Sequence, residues 1–182
     1  MGKVKITVDP SVPAEFTLNL RLPSWCETES TRITCNGEFI PVSHAPQQSE
    51  ITASGYDPRE SRWLNIKRIW GSGDVVEINF EMPIQLPIQF QHAHPKVKGH
   101  QGKVAVTRGP LIYCLESVDN PDVDIFSIAI DKSSLDSVFD RITLGGIIKL
   151  IGKTKTGQPI TFIPYHLWGN RGESTMTVWV NE

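Results

Sequence analysis

The stretch IPYHLWGNRG, residues 163–172, holds the densest group of side chains that could do chemistry. The imidazole of His166 could act as a general acid or base near neutral pH, and the guanidinium of Arg171 could bind a carboxylate. The rings of Tyr165 and Trp168 suit the CH-rich face of a sugar. These residue types fit an active site, a sugar platform and a packed β-corner alike, so the surrounding sequence must decide.

Catalysis at this stretch would require a second reactive side chain beside His166. No nucleophile or carboxylate lies at a recognisable offset from His166. Glu116 and Glu173 are the carboxylates beside the two most distinctive motifs, but a solvent-facing or arginine-paired role explains both more simply. We therefore predict no catalytic residue in this chain.

A sugar-binding function depends on which tryptophans face solvent. Trp63 and Trp179 occur in alternating strand patterns and are expected in the core. Trp70, just before a GSGD turn, and Trp168, in a loop, are the better surface candidates. The candidate sugar-binding residues are therefore Trp70, Tyr165, His166 and Trp168.

Two arginines are predicted to have a structural role instead. Pro164 ends the strand pattern ITFI, and Gly169 and Gly172 allow sharp turns, which is typical of a packed corner. Arg171, with five fixed donors, is suited to bind loop carbonyls or a carboxylate there, and Arg108 in TRGP is expected to do the same across the sheet. Both are interpreted as residues that fasten strand corners.

Histidine and cysteine spacings predict no metal site. His92 and His94 form an HxH pair with His100 downstream, but no acidic or cysteine partner lies nearby in sequence. The cysteines lack a CxxC pair and are expected to be buried thiols, with a disulfide between the first two as the alternative. They are Cys26, Cys35 and Cys114.

The elements that position these residues have a period of two, which indicates β-strands. Asn36 and Gly37 favour the turn of a hairpin, and Pro87 indicates a strand at a sheet edge. SSLDSVFDRI, residues 133–142, is the only candidate for a helical turn. We predict an all-β chain of two tandem antiparallel β-sandwiches, jelly-roll-like, with domains at 1–97 and 98–182.

Composition excludes several function classes. The chain has 182 residues and a net charge of −2, so it lacks the basic surface that nucleic-acid binding requires. No apolar run approaches the ~20 residues of a membrane span, and the first residues have no signal-peptide pattern. Localisation is not determined by these features.

Several segments, in order along the chain, resemble the carboxy-terminal part of glycoside hydrolase family 127, the β-L-arabinofuranosidase-like family. The resemblance extends from about Lys3 to Val180. The segments are FTLNLRLPSW, an NGE hairpin, WLNIKRIWGSGDVVEINFEMPI, AHPKV, GKVAVTRGPLIYCLE, IPYHLWGNRG and MTVWV.

The resemblance implies that the chemistry lies outside this chain. Enzymes of this family carry an amino-terminal helical (α/α) barrel in which a cysteine nucleophile and a glutamate are held around zinc. None of those motifs occurs here, so no catalytic residue and no cofactor is assigned to this chain, and we expect it to be inactive alone. The expected partners are that barrel in the same parent protein, a second copy in a homodimer, and the parent's carbohydrate substrate.

Three functions remain open from the sequence. The first is a non-catalytic segment that braces the barrel of an enzyme acting on terminal L-arabinofuranosyl or related residues of plant-type glycans. The second is a stand-alone carbohydrate-binding module. The third is a structural or assembly domain with no sugar role.

Overall fold

The computed structural model describes residues 2–23, 25–26, 31–42, 62–89, 96–97 and 101–182. These residues form fourteen β-strands and two short 3-10 helices, and the strands within each sheet pair antiparallel. The all-β, antiparallel prediction is therefore confirmed. In the described ranges, no helix has the length and hydropathy needed to cross a membrane.

The chain divides into two compact units, Met1–Met82 and Pro83–Glu182, called unit 1 and unit 2 here. The sequence pattern predicts this division at 97/98. The difference comes from strand β7 (Ile84–Gln89), which pairs with β8 (Lys103–Arg108) and so belongs to unit 2. Hydrogen bonds to a later strand decide this assignment, and they are not visible in the local pattern.

Unit 1 packs two sheets around one core. A four-stranded sheet has the order β1-β6-β3-β4, and a ribbon is formed by β2 and β5. Both contribute the buried side chains of the core, among them Leu20, Ile33, Trp70 and Val76. The strands are β1 Gly2–Val8, β2 Ala14–Leu22, β3 Arg32–Cys35, β4 Glu38–Ile40, β5 Arg62–Trp70 and β6 Asp74–Phe80.

The β3–β4 hairpin turns at the predicted pair. Asn36 and Gly37 have φ angles of 50° and 84°, the left-handed region that a type I′ turn needs at both central residues. The Asn36 side chain also accepts from the backbone N–H of Val75 at 2.8 Å and donates to Asp74 at 2.8 Å. The hairpin prediction is confirmed, and the same asparagine joins the turn to β6.

Unit 2 is built on one large sheet with the order β10-β11-β12-β9-β8-β14, to which β13 adds on β9 and β7 on β8. Its main core includes Tyr113, Leu115, Leu150 and Phe162. The strands not yet given are β9 Leu111–Glu116, β10 Ile130–Asp140, β11 Ile147–Thr154, β12 Pro159–Pro164, β13 Met176–Thr177 and β14 Trp179–Asn181.

Two local expectations about strands are tested in unit 2. The candidate helical turn at 133–142 is wrong, because most of it belongs to β10, which pairs with β11. Pro87 lies where the pairing of β7 with β8 changes register, between Gln85 and Ile88. A proline lacks the N–H that a regular ladder needs, which is consistent with that irregularity.

Candidate functional site

The stretch 163–172 runs from the end of β12 into a looped segment. Pro164 is the last residue of β12, and Tyr165–Leu167 form a single 3-10 turn closed by the Trp168 N–H on the Tyr165 carbonyl at 3.3 Å. Gly169 and Gly172 have φ angles of 74° and 104°, which glycine adopts without strain. The conformation of the loop therefore depends on glycine at two positions.

This loop lies next to a second, smaller apolar cluster of unit 2. Alternate residues of a strand point to opposite faces, so Tyr113 and Leu115 join the main core while Cys114 and Glu116 point the other way. Cys114 packs with Ile147 and Ile163, and residues on both sides of the loop cover them. The covering residues are Leu167, Met176 and Val178.

At this face, a buried carboxylate is bound by an arginine from the loop. Glu116 is only 1% exposed. Its Oε1 accepts from the Gly169 N–H at 2.9 Å, and its Oε2 accepts from Arg171 Nη2. The same guanidinium binds both carboxylate oxygens of Asp119, with Nη1 to Oδ1 at 2.7 Å. Two carboxylates on the β9 side thus hold one loop arginine.

Charge and burial explain the protonation of this cluster. Hydrogen bonding to Asp119 raises the pKa of Arg171 above its ordinary value, against the lowering effect of burial, and bonding to Glu116 raises it further. Arg171 therefore stays charged. Its Nε is buried without a hydrogen-bond partner within the described part of the chain, so the arginine is held through its two terminal nitrogens.

The ion cluster continues along the sheet through Lys149. The Lys149 ammonium lies 3.7 Å from Asp119 Oδ1 and 2.9 Å from Asp140 Oδ2. Asp140 also accepts from the backbone N–H of Ile142 at 2.8 Å and from the Thr143 hydroxyl at 2.7 Å. The hydrogen bond from the Thr143 hydroxyl, followed by that from Lys149, lowers the pKa of Asp140 well below its ordinary value. Charges alternate through the whole cluster.

The other predicted corner arginine, Arg108, is 6% exposed at the end of β8. The hydroxyl of Tyr113 donates to the Ile148 carbonyl at 3.1 Å. Burial raises the pKa of Tyr113, and the charge and hydrogen bond of Arg108 act in the opposite direction. Arg108 therefore lies beside a buried tyrosine of the main core.

The structure places three of the predicted sugar-binding residues, all exposed, in the loop after β12. Tyr165 and Trp168 are each 43% exposed and His166 is exposed. Tyr165 lines a shallow, mainly apolar groove, but Trp168 is not among its lining residues. The groove is lined by Ile112, Tyr165 and residues 176–179. Trp168 therefore lies outside this groove, in the same turn as Tyr165.

The surface position predicted for Trp70 is wrong, and so is the core position predicted for Trp63. Trp70 is fully buried, and its indole N–H donates to the Phe16 carbonyl at 3.0 Å. Trp63 is 58% exposed. Seven residues separate the two, and an odd separation on one strand places side chains on opposite faces. Trp179 is half-buried.

Among the described residues, the remaining chemical candidates are not grouped at a metal site. Glu173 is exposed, and all three cysteines are free and buried, so the Cys26–Cys35 disulfide is not formed. Where side chains are described, no group of three His, Cys, Asp or Glu is close enough to hold a metal ion. Within that part of the chain, the cysteines thus do not fit a zinc site. His92, His94 and His100 lie outside the described residues.

Sequence reasoning missed three members of the ion cluster. Asp140 begins the sequence DRIT, in which an aspartate accepting from backbone N–H groups two and three residues on is a recognisable turn signal. Asp119 and Lys149 carry no such signal, because the contacts between them connect residues 30 positions apart in the chain.

Comparison with known proteins identifies the class. Residues 1–82 match the model described as the β-L-arabinofuranosidase, GH127 middle domain. Residues 88–181 match the glycoside hydrolase family 127 C-terminal domain. Both models describe parts of glycoside hydrolases, and together they account for nearly all of this chain. The chain belongs to glycoside hydrolase family 127.

Individual relatives agree with this assignment. The chain is 28% identical over 207 residues to the non-reducing end β-L-arabinofuranosidase of Bifidobacterium longum subsp. longum, covering 98% of this chain and 28% of that protein. A crystal structure of a GH127 β-L-arabinofuranosidase from Geobacillus stearothermophilus T6 matches with a TM-score of 0.75 and 34% identity, over 100% of this chain and 28% of that one.

A solved GH127 β-arabinofuranosidase structure also matches, with a TM-score of 0.72 and 27% identity, over 99% of this chain and 30% of that one. The chain thus spans less than a third of the length of these relatives.

Proposed function

We propose that the chain is the non-catalytic β-sandwich segment of a family 127 glycoside hydrolase that acts on terminal L-arabinofuranosyl or related residues of plant-type glycans. Its role is to brace the catalytic helical barrel of the same parent protein. Support comes from the match to both a middle and a C-terminal domain model and from the much greater length of the relatives. The zinc implied by the family resemblance belongs to that barrel in this proposal.

The observation that carries the proposal is the state of Glu116. Hydrolysis of a glycosidic bond normally uses two carboxyl groups ~5 to 9.5 Å apart that both face the substrate. Glu116 is 1% exposed, and both of its oxygens are bound, by Gly169 and by Arg171. This carboxylate therefore ties a loop to the sheet and has no free face for a sugar.

A turn of unit 2 offers a contact surface for the barrel. Ile142 is 92% exposed and Phe139 is 60% exposed. The hydrogen bonds of Asp140 fix the backbone between them, and Leu144 is held at φ 49°. A fixed turn with exposed apolar side chains suits burial against another part of the protein. A second copy in a homodimer is the alternative occupant.

The first test is the mass of the native polypeptide that contains these residues, measured with an antibody on a source-cell extract. The proposal predicts a band several-fold heavier than 20.3 kDa. A band at 20.3 kDa would contradict the proposal that the same polypeptide contains a catalytic barrel.

A variant then locates the contact. Ile142→Asp should lower the melting temperature of the long polypeptide but leave that of the 182-residue chain unchanged, because only the former buries this side chain. The matched control is Ile151→Asp, at an exposed position of the neighbouring strand β11. Equal effects of both substitutions in the long polypeptide would contradict a contact at Ile142.

A stand-alone carbohydrate-binding module is the second candidate, and the exposed rings of Tyr165 and Trp168 favour it. Titration of the chain with short arabino-oligosaccharides tests this function. A response abolished by Trp168→Ala would support binding at the loop, whereas a structural or assembly role without sugar predicts no response.

A further inference from the structure

The outward face of the β2–β5 ribbon in unit 1 carries an unusual set of side chains. Residues of alternate positions on the two strands point away from the core, and all of them are exposed. On β5 these are Trp63, Asn65, Lys67 and Ile69, and on β2 they are Arg21, Asn19, Thr17 and Glu15. The inward residues, including Trp70 and Leu20, are part of the core and hold this ribbon in place.

The centre of the face combines one ring with two amides. Trp63 pairs across the ribbon with Arg21, and Asn65 pairs with Asn19. Side chains directly opposite each other have Cβ atoms ~5 Å apart, and same-face neighbours on one strand are ~7 Å apart. Neither amide side chain has a hydrogen-bond partner among the described residues. A 58% exposed indole therefore lies beside two solvent-facing amides.

Charged side chains lie only towards the two ends of this face, with Arg21 opposite Trp63 at one end. Glu15 and Lys67 neutralise each other at one end, with 3.6 Å between Oε2 and Nζ. The middle of the face carries only the neutral amides and Thr17. An amide both donates and accepts hydrogen bonds, as a sugar hydroxyl does. The middle of the face thus suits a neutral, hydroxyl-rich molecule.

The apolar groups are also too far apart for a continuous protein contact. Trp63 and Ile69 are six residues apart on one strand, which corresponds to ~20 Å, with Asn65 and Lys67 between them. A protein-docking surface normally has a contiguous apolar centre. A single aromatic ring beside polar groups is instead typical of a site that stacks one sugar ring and hydrogen-bonds its hydroxyls.

We propose that this face is a carbohydrate-binding surface for a neutral oligosaccharide. One ring stacks on Trp63, and the hydroxyls of that ring and its neighbour bind the amides of Asn65 and Asn19. Binding here is separate from the bracing role and would hold a glycan chain on unit 1. Because the ribbon is fixed by the core beneath it, the site is formed before the ligand arrives.

The test is calorimetric titration of the 182-residue chain with short linear arabino-oligosaccharides. The expected dissociation constant for the unaltered chain is on the order of a millimolar, as for a small exposed site. Trp63→Ala should abolish the heat of binding, and Asn65→Ala should weaken binding about fivefold, the loss of one or two hydrogen bonds. Phe39→Ala, at another exposed aromatic ring of unit 1, should leave binding unchanged.

Other outcomes overturn the proposal. No binding by the unaltered chain at millimolar oligosaccharide would do so, as would binding lost in Trp168→Ala but kept in Trp63→Ala. The face could also be covered by another part of the long polypeptide. In that case Trp63→Ala would lower the melting temperature of the long polypeptide and leave its oligosaccharide binding intact. The bracing role has its own test, at Ile142.

Discussion

Unit 1 and unit 2 bury their strands in different ways. In β6 of unit 1, buried and half-buried residues alternate, as expected for a strand with one face on the core. In β8 of unit 2, five successive residues are buried, because both faces are covered. Strands of unit 2 therefore carry buried polar residues, among them Arg108 and Glu116.

This difference changes what stabilises each unit. Among the described residues of unit 1, the buried side chains are apolar except that of Thr31. In unit 2 a buried carboxylate must have a partner, since leaving one uncompensated costs several kcal/mol. Arg171 supplies that partner from a loop, so this loop is part of the folded structure of unit 2.

The largest expected effect concerns the core of unit 1. Trp70→Ala should lower the free energy of unfolding by about 3–5 kcal/mol, since it empties a fully buried site and leaves the Phe16 carbonyl without its donor. Trp63→Ala, on the same strand, should change it by less than about 1 kcal/mol. Urea unfolding followed by circular dichroism measures both. Similar losses would mean that the two faces of β5 are assigned wrongly.

Next in size is the loop of unit 2. Arg171→Ala should cost about 3 kcal/mol and lower the melting temperature by about 10 °C, because Glu116 would stay buried without its cation. Glu173→Gln, at an exposed carboxylate of the same loop, is the control and should have little effect. An unchanged melting curve for Arg171→Ala would reject the role of this arginine in fastening the corner.

A smaller effect is expected from pH. The pKa of Asp140 lies below its ordinary value of 3.8 in the folded chain, so the folded state favours the ionised form. Its contribution to stability is complete above that ordinary value and is lost as pH falls below about 4 toward the lower folded pKa. Asp140→Asn should therefore flatten the fall in melting temperature on acidification. An identical acid profile for this variant would contradict the assignment.

The smallest expected change concerns reactivity alone. Burial, together with the nearby Glu116 carboxylate, raises the pKa of the Cys114 thiol to about 12. A thiol reagent at pH 8 should therefore leave Cys114 unmodified in the folded chain and modify it after unfolding. Mass spectrometry of the Cys114 peptide before and after denaturation measures this. Rapid modification in the folded chain would show that the second cluster of unit 2 is open to solvent.

Much of the fold follows from local sequence. The Asn36–Gly37 pair predicts its hairpin because only a few residues adopt positive φ readily. The strand pattern of β5 also predicts the buried position of Trp70. Trp70 lies four residues from Ile66, a core residue, so both side chains point to the same face. The glycine turn after Trp70 favours a surface position for its side chain. The alternation of the strand determines which face the side chain occupies, and that face is buried.

Other features depend on partners distant in the chain. Residues 133–142 contain spacings compatible with a helical turn, and the pairing of β10 with β11 makes them strand. Likewise, β7 belongs to unit 2 because it pairs with β8. In the ion cluster, Glu116 and Arg171 are 55 residues apart. The types of these residues indicate a structural role, but only the folded chain shows which charges meet.

The most direct test of a non-catalytic role is an activity assay on two polypeptides. One is the 182-residue chain and the other extends it to the length of its relatives, each assayed with an aryl β-L-arabinofuranoside. The account predicts release of the aryl group by the long polypeptide and none above the buffer rate by the short one. Hydrolysis by the 182-residue chain, abolished by Glu116→Gln, would contradict it.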